Sequence, residues 1–155
     1  MSAYISTWIR ANSGGPYIRL NEWSRSTVIY QVFSHQVAYG TFKELAEDML
    51  REAIDSAEAD IKLSRDMINR NNETLAFLRG CPQLSTEELL DNFNEFKESN
   101  DQFQADIEET EFAIAQLRTF WQILDEQQYG EHVGKLYVSH EYNPNYSEDS
   151  ENEEN

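Results

Sequence analysis

Ten carboxylates fall between Glu87 and Glu111: Glu87, Glu88, Asp91, Glu95, Glu98, Asp101, Asp106, Glu108, Glu109 and Glu111. Hydrolytic or metal-assisted catalysis would need such groups to converge in a cleft. A run of this spacing on a helix instead spreads them along a solvent face. The chemistry left to them is charge: a row of carboxylates on a stiff helix can occupy a groove built for phosphates, which is the physics of nucleic-acid mimicry. A self-sufficient helix interleaves Lys four residues after Glu, yet this stretch and its continuation offer only Lys97 and Arg118. Uncompensated like charge destabilises a helix, so its presence points to a basic partner. Glu95, Glu98, Asp101, Asp106, Glu108, Glu109 and Glu111 are the candidate partner-binding residues.

A second constellation lies near the N-terminus. Arg10, Arg19 and Arg25 are set among Trp8, Tyr17, Trp23 and Tyr30, a mixture able to clamp a phosphate and stack a base. Core aromatics beside ordinary surface arginines would show the same composition. Arg10, Arg19, Arg25, Trp8 and Trp23 therefore form an alternative ligand site, suited to a small signalling nucleotide. His132 and His140 are flanked by Glu131 and Glu141, and His35 stands apart. No cysteine or second close histidine completes a zinc set, so they are expected to be surface or hydrogen-bonding residues. Cys81, the only cysteine, sits in Gly80-Cys81-Pro82 and has no internal partner. With no glycine-rich phosphate loop, nucleophile elbow or Cys/His pair, no catalytic residue, metal or cofactor is assigned, and an enzyme is not expected.

The formal charge of −17 is unevenly placed: +2 over residues 1–40, −3 over 41–84, −10 over 85–130 and −6 over 131–155. Duplex nucleic acid is disfavoured as a direct partner, because such complexes rest on Lys and Arg neutralising phosphates. A basic protein, or a protein–nucleic acid complex, is favoured. Residues 1–9 show no charged-then-apolar leader and no window reaches the length of a membrane span. A cytoplasmic protein without a membrane partner is expected, in the host cytoplasm if viral.

The elements that carry these residues follow from periodicity. From Leu89 to Leu124 an apolar seam advances in alternating steps of four and three through Phe93, Phe96, Asn100, Phe103, Ile107, Thr110, Ile114, Leu117 and Trp121, the mark of a coiled-coil helix. A matching set runs Ala46, Leu50, Ala53, Ala57, Ile61, Ser64, Ile68, Asn71, Leu75, Leu78. Thr41-Phe42-Lys43-Glu44 and Ser85-Thr86-Glu87-Glu88 each match a capping box, and Gly80 with Pro82 ends the first helix. Helices over about 42–79 and 86–129, joined by a short loop, must run antiparallel, each about 60 Å long at 1.5 Å per residue. Asn71 and Asn100 fall near each other, where polar seam residues set register. Alternation over Tyr4–Ile9, Tyr17–Leu20 and Val28–Phe33 predicts strands within 3–38, and Lys135–His140 one more at about 135–141. Phe42, Leu45, Met49, Phe120 and Ile123 widen the apolar stripe near the base, where the sheet is the available cover. Residues 143–155, rich in Asn, Ser, Asp and Glu, are expected to be a disordered acidic tail on a single domain over 1–142.

The expected fold is α+β: a small antiparallel β-sheet packed at the base of a long antiparallel helical (coiled-coil) hairpin. In composition the chain is similar to the small, acidic, motif-free inhibitors that phages encode against host nucleases and other defence systems, a resemblance that carries over no residue. It implies a non-catalytic, anti-CRISPR-like counter-defence protein docking its acidic helix on a basic, nucleic-acid-binding surface of a host complex. Sequestration of a small nucleotide and a structural assembly subunit are the alternatives. Leu63, Met67, Phe77, Leu90 and Phe112, apolar outside the seam, lead to the expectation of a homodimer.

Overall fold

The computed structural model describes residues 3–10, 14–128 and 134–142. Strand β1 (Ala3–Arg10) and strand β2 (Ile18–Ser24) are followed by helix α1 (Val28–Gln36) and a short strand β3 (Phe42–Glu44). Two long helices come next, α2 (Glu47–Arg79) and α3 (Thr86–Gln128), and strand β4 (Lys135–Tyr142) closes the order. The sheet is four-stranded and antiparallel in the order β2-β1-β4-β3. The architecture is α+β with a helical hairpin, as the periodicity predicts.

Two sequence expectations are corrected. Val28–Phe33 is not a strand but the start of α1. Its β-branched residues favour extended backbone only weakly, and tertiary burial overrides that preference. The Thr27 hydroxyl caps the helix by accepting from the Tyr30 amide at 3.2 Å, and the helical spacing buries Ile29, Tyr30, Val32 and Phe33 together. The second correction moves the start of α2 from about 42 to Glu47. Thr41 is drawn into the sheet instead: its hydroxyl donates to the Ala38 carbonyl, and its carbonyl accepts from the His140 amide at 3.2 Å, which carries the backbone on in extended form. Phe42–Glu44 therefore pairs with β4, and Gly40, at φ +79°, makes the turn that brings the chain there. Glu47 and Asp48 then occupy the first turn of α2, where negative charge suits the helix dipole. The expected cap at Ser85 is present, its hydroxyl accepting from the Glu88 amide at 3.1 Å.

The chain divides into two compact units, one formed by residues up to Ala57 and from Ala113 onward, the other by Glu58–Phe112. In the first, Ile5, Leu136 and Val138 of the sheet are buried, as are Phe33 of α1, Leu45, Leu50 and Ala53, and Leu117, Phe120 and Leu124 of α3. Of the widened apolar stripe, Leu45, Met49 and Phe120 join this core and Ile123 is half-buried, whereas the expectation for Phe42 is corrected: it lies in β3, 44 % exposed, not on a covered helix. In the second, Ile61, Ser64, Asn71, Ile107 and Thr110 are buried. Asn71 Nδ2 donates to Asn100 Oδ1 at 2.8 Å and to Ser99 Oγ at 3.2 Å. Asn100 Nδ2 in turn donates to Asn72 Oδ1 at 3.0 Å, so the polar seam residues satisfy one another. Residues 143–155, expected to form an acidic tail, lie outside the described residues.

Candidate functional site

Helical geometry sorts the α3 carboxylates. At about 100° per residue, from 3.6 residues per turn, Asp91, Glu95, Glu98, Asp106 and Glu109 share one stripe, about a third of a turn from the apolar seam. Asp101 and Glu108 lie on the neighbouring stripe, and Glu111 is beyond them. The stripes also differ in neutralisation. Asp101 receives Lys97 Nζ at 2.9 Å, and Glu111 receives Arg65 at 3.2 Å. Asp106 and Glu108 accept from the amides of Gln102 and Gln104, at 3.1 and 3.4 Å. The carboxylate of Asp101 also holds the Lys97 ammonium above its ordinary pKa, first through their hydrogen bond and then through charge. Glu95, Glu98 and Glu109 are exposed. Among the described residues these three make no hydrogen bond or ion pair. With Asp91, likewise exposed and without an ion pair or side-chain hydrogen bond among the described residues, they make four unpaired carboxylates on a single stripe, the sharpest part of the acidic face.

The N-terminal constellation is divided by the pleat of the sheet. Successive side chains of β1 alternate in direction, so Tyr4, Ser6, Trp8 and Arg10 lie on the face away from the core. Trp8 stands opposite Arg19 on one side and Tyr137 on the other. A bulge at Leu20, between the Thr7 and Trp8 pairings, puts Arg19 and Glu22 on that same outer face. There the Arg19 guanidinium sits 4.7 Å over the Trp8 ring and 5.6 Å over Tyr4, and it pairs with Glu22 at 3.4 Å. Arg10 lies 4.7 Å over the Tyr17 ring and donates to the Tyr17 hydroxyl at 3.0 Å and the Gly15 carbonyl at 2.9 Å. Tyr17, Phe42 and Tyr137 meet with centroids 4.8 to 5.2 Å apart, and Phe42 approaches Trp8 at 6.3 Å. Trp8 Nε1 donates to Ser139 Oγ at 2.8 Å, and burial, followed by the nearby Glu141 carboxylate, raises the Tyr4 phenol above its ordinary pKa.

Of the five residues in the alternative set, the structure brings together Trp8, Arg10 and Arg19. Trp23 is on the opposite face, 6 % exposed and 6.1 Å from Phe33, so it belongs to the core. Arg25 is exposed in the turn after β2 and, among the described residues, joins no ring. Phe42 and Tyr137 were not among the expected site residues. They reach the cluster through strand pairings across most of the chain, which no local pattern reveals.

His140 is buried between two rings. Its Nε2 lies 2.7 Å from the Tyr30 hydroxyl and its Nδ1 3.1 Å from the Val37 carbonyl. The carbonyl can only accept, so Nδ1 carries the proton and Nε2 accepts from Tyr30. His35 is exposed, and His132 and Glu131 lie outside the described residues. Among the described residues no three His, Cys, Asp or Glu groups converge to hold a metal ion. Near the turn between α2 and α3, a pocket of about 300 Å³ is lined by Leu75, Leu78, Leu89, Leu90 and Phe93. Among the described residues no helix is long and apolar enough to cross a membrane. Compared with family profiles, curated proteins and solved structures, the chain matches none of them.

Proposed function

We propose that the protein is a non-catalytic inhibitor of the counter-defence kind, which docks the acidic face of α3 on a basic, nucleic-acid-binding surface of a partner complex. The observation that supports this reading is the stripe of unpaired carboxylates Asp91, Glu95, Glu98 and Glu109. From Glu87 to Glu111 the helix advances about 36 Å and carries ten carboxylates, about one per 4 Å of axis. One DNA strand presents a phosphate about every 3.4 Å. Asp101 and Glu111 are already paired, so the stripe of Asp91, Glu95, Glu98, Asp106 and Glu109 offers about one carboxylate per 7 Å of axis, half the density of a strand, on a backbone that needs no ordering on binding, which limits the entropic cost.

The test is binding to and inhibition of purified nucleases and CRISPR-type effector complexes at low and moderate salt. The Glu95→Lys/Glu98→Lys/Glu109→Lys variant is expected to bind at least tenfold more weakly, and the difference should shrink as salt rises. Unchanged affinity sinks the acidic-face reading. A sponge for a small nucleotide needs a site that wraps most of its ligand. The open sheet face that gathers Arg10 and Arg19 does not supply one, so docking is favoured over sequestration. Leu63, Phe77, Leu90 and Phe112 are exposed, and a two-fold homodimer covering them is expected to give a dimer mass in sedimentation at physiological salt. A monomer at high concentration removes that part of the reading.

A further inference from the structure

The outer face of the sheet carries a second chemistry that the acidic helix does not use. We infer that the ring cluster Trp8, Tyr17, Phe42 and Tyr137, with Arg10, Arg19 and Lys135 beside it, binds an unpaired single strand of nucleic acid. Three observations carry this. The first is that rings are presented rather than buried: Tyr17 and Phe42 are 40 % and 44 % exposed, respectively, although a ring pair of this size ordinarily seeks the core. An exposed aromatic ring on a sheet face offers a stacking surface that every base fits, since each base has a π-face.

The second observation is charge. Arg10 and Lys135 stand directly opposite each other on β1 and β4, a like-charge cross-strand pair that works against the sheet. Lys135 finds Glu44 only at 3.8 Å. Of the five N–H donors of a guanidinium, Arg10 uses one toward the Gly15 carbonyl and one toward the Tyr17 hydroxyl. Both contacts fix the head group against the ring and leave the remaining donors for an anion. Arg19 is positioned in the same way over Trp8, held at 3.4 Å by Glu22 and flanked by Tyr4. Residues 1–40 are the one stretch of positive balance in a chain of charge −17, and on the outer face the three basic groups are set against Glu22, Glu44 and Glu141, so Arg10, which has no carboxylate partner among the described residues, is the cation most open to a phosphate.

The third is shape. An open sheet face cannot enclose a mononucleotide, but it lets a strand run across β2, β1 and β4 and add several stacking and phosphate contacts, each weak alone. A duplex hides its bases from the exposed rings, so it is discriminated against. This site and the α3 face are separate surfaces, and either can fail without the other.

Fluorescence anisotropy with dye-labelled oligouridylate and oligothymidylate of about ten nucleotides, within the range of such sites, tests the proposal. The expected result is saturable binding of one or both strands by the full chain. Phe42→Ala should weaken it at least fivefold, the lower end of what one base–aromatic stack contributes. Arg10→Ala/Arg19→Ala should weaken it at least tenfold, while far-UV circular dichroism shows both variants folded. Glu22→Gln, which frees Arg19, should bind a few-fold more tightly and guards against misreading a folding defect. No anisotropy change at high protein concentration overturns the inference, as do variants that bind like the parent. A free nucleoside monophosphate binding as tightly as the strand, or a duplex of the same length doing so, overturns the assignment to an unpaired strand.

Discussion

His140→Phe separates hydrogen bonding from packing at the junction of β4 with α1. The substitution keeps a ring edge-on to Tyr30 and Tyr39, whose centroids lie 5.3 and 5.4 Å from that of His140. It removes both polar contacts, leaving the Tyr30 hydroxyl and the Val37 carbonyl without the partners they have at 2.7 and 3.1 Å. Tyr30 and Val37 are both buried, and a buried group left unsatisfied costs about 1–3 kcal/mol. The expected loss is therefore about 2–6 kcal/mol, a large share of the roughly 5–15 kcal/mol that holds a domain folded. Thermal unfolding followed by far-UV circular dichroism should show Tm lowered by about 5–15 °C for a chain of this size. The double-mutant cycle with Tyr30→Phe isolates the 2.7 Å bond. Because the two residues share one contact, the combined loss should fall short of the sum by about 1–3 kcal/mol. A His140→Phe variant within about half a kcal/mol of the parent, too small for even one buried unpaired group, would refute the reasoning, since it would mean that neither partner is desolvated in the folded state.

Gly134 is buried, and a Cβ there would meet Ile9 Cγ1 at 2.5 Å, Ile9 Cδ1 at 2.8 Å and the Arg10 carbonyl at 3.1 Å. Gly134→Ala is expected to destabilise by about 1–3 kcal/mol, and adding Ile9→Ala should recover part of that in urea unfolding, whereas a neutral Gly134→Ala would contradict the packing described. Asn71→Leu/Asn100→Leu replaces a satisfied polar contact by apolar surface in the helical seam. It is expected to raise the unfolding midpoint while Asn71→Leu alone does not, and hydrogen exchange across residues 64–107 reports whether register survives. Tyr4 has a pKa raised by burial and by Glu141, so above the ordinary value of 10.0 the unfolded chain loses its proton first. Stability present below that pH should fall as pH rises toward the folded pKa, and Tyr4→Phe should remove this increment from the alkaline unfolding curve.

Which parts of the fold were legible follows from how local their causes are. The seam from Leu89 to Leu124 and the hydroxyl of Ser85 sit within a few residues of what they determine, so α3 and its cap could be seen in advance. The alternation of β1, β2 and β4 is equally local. Val28–Phe33 misled because its β-branched residues suit a strand, while the decision to coil came from the Thr27 cap and from burial of Ile29, Val32 and Phe33. Thr41-Phe42-Lys43-Glu44 misled because the capping pattern does not show that the Thr41 carbonyl is taken by His140. For the outer face the limit is sharper. Trp8 and Arg10 were visible as candidates, but Tyr137 joins them through a pairing 129 positions away, and the pleat that sends Trp23 to the core depends on which face is covered. Charge on α3 was visible as composition; only the geometry separates Asp91, Glu95, Glu98 and Glu109 from the carboxylates already engaged.

The sheet order β2-β1-β4-β3 places the last strand of the described residues between two earlier ones. β1 must wait for β4 across pairings as distant as Ala3 with Tyr142. Such contacts give the sheet a high contact order, and closing so long a loop is slow relative to zipping two helices joined by a short turn. On the ribosome, α2 and α3 can meet as soon as both have emerged. β1 and β3 hold no shared neighbour until β4 is made. The outer face, with Trp8, Phe42 and Tyr137 side by side, is therefore assembled only after β4 follows α3, and a nascent chain displays its acidic helix before these three rings can meet.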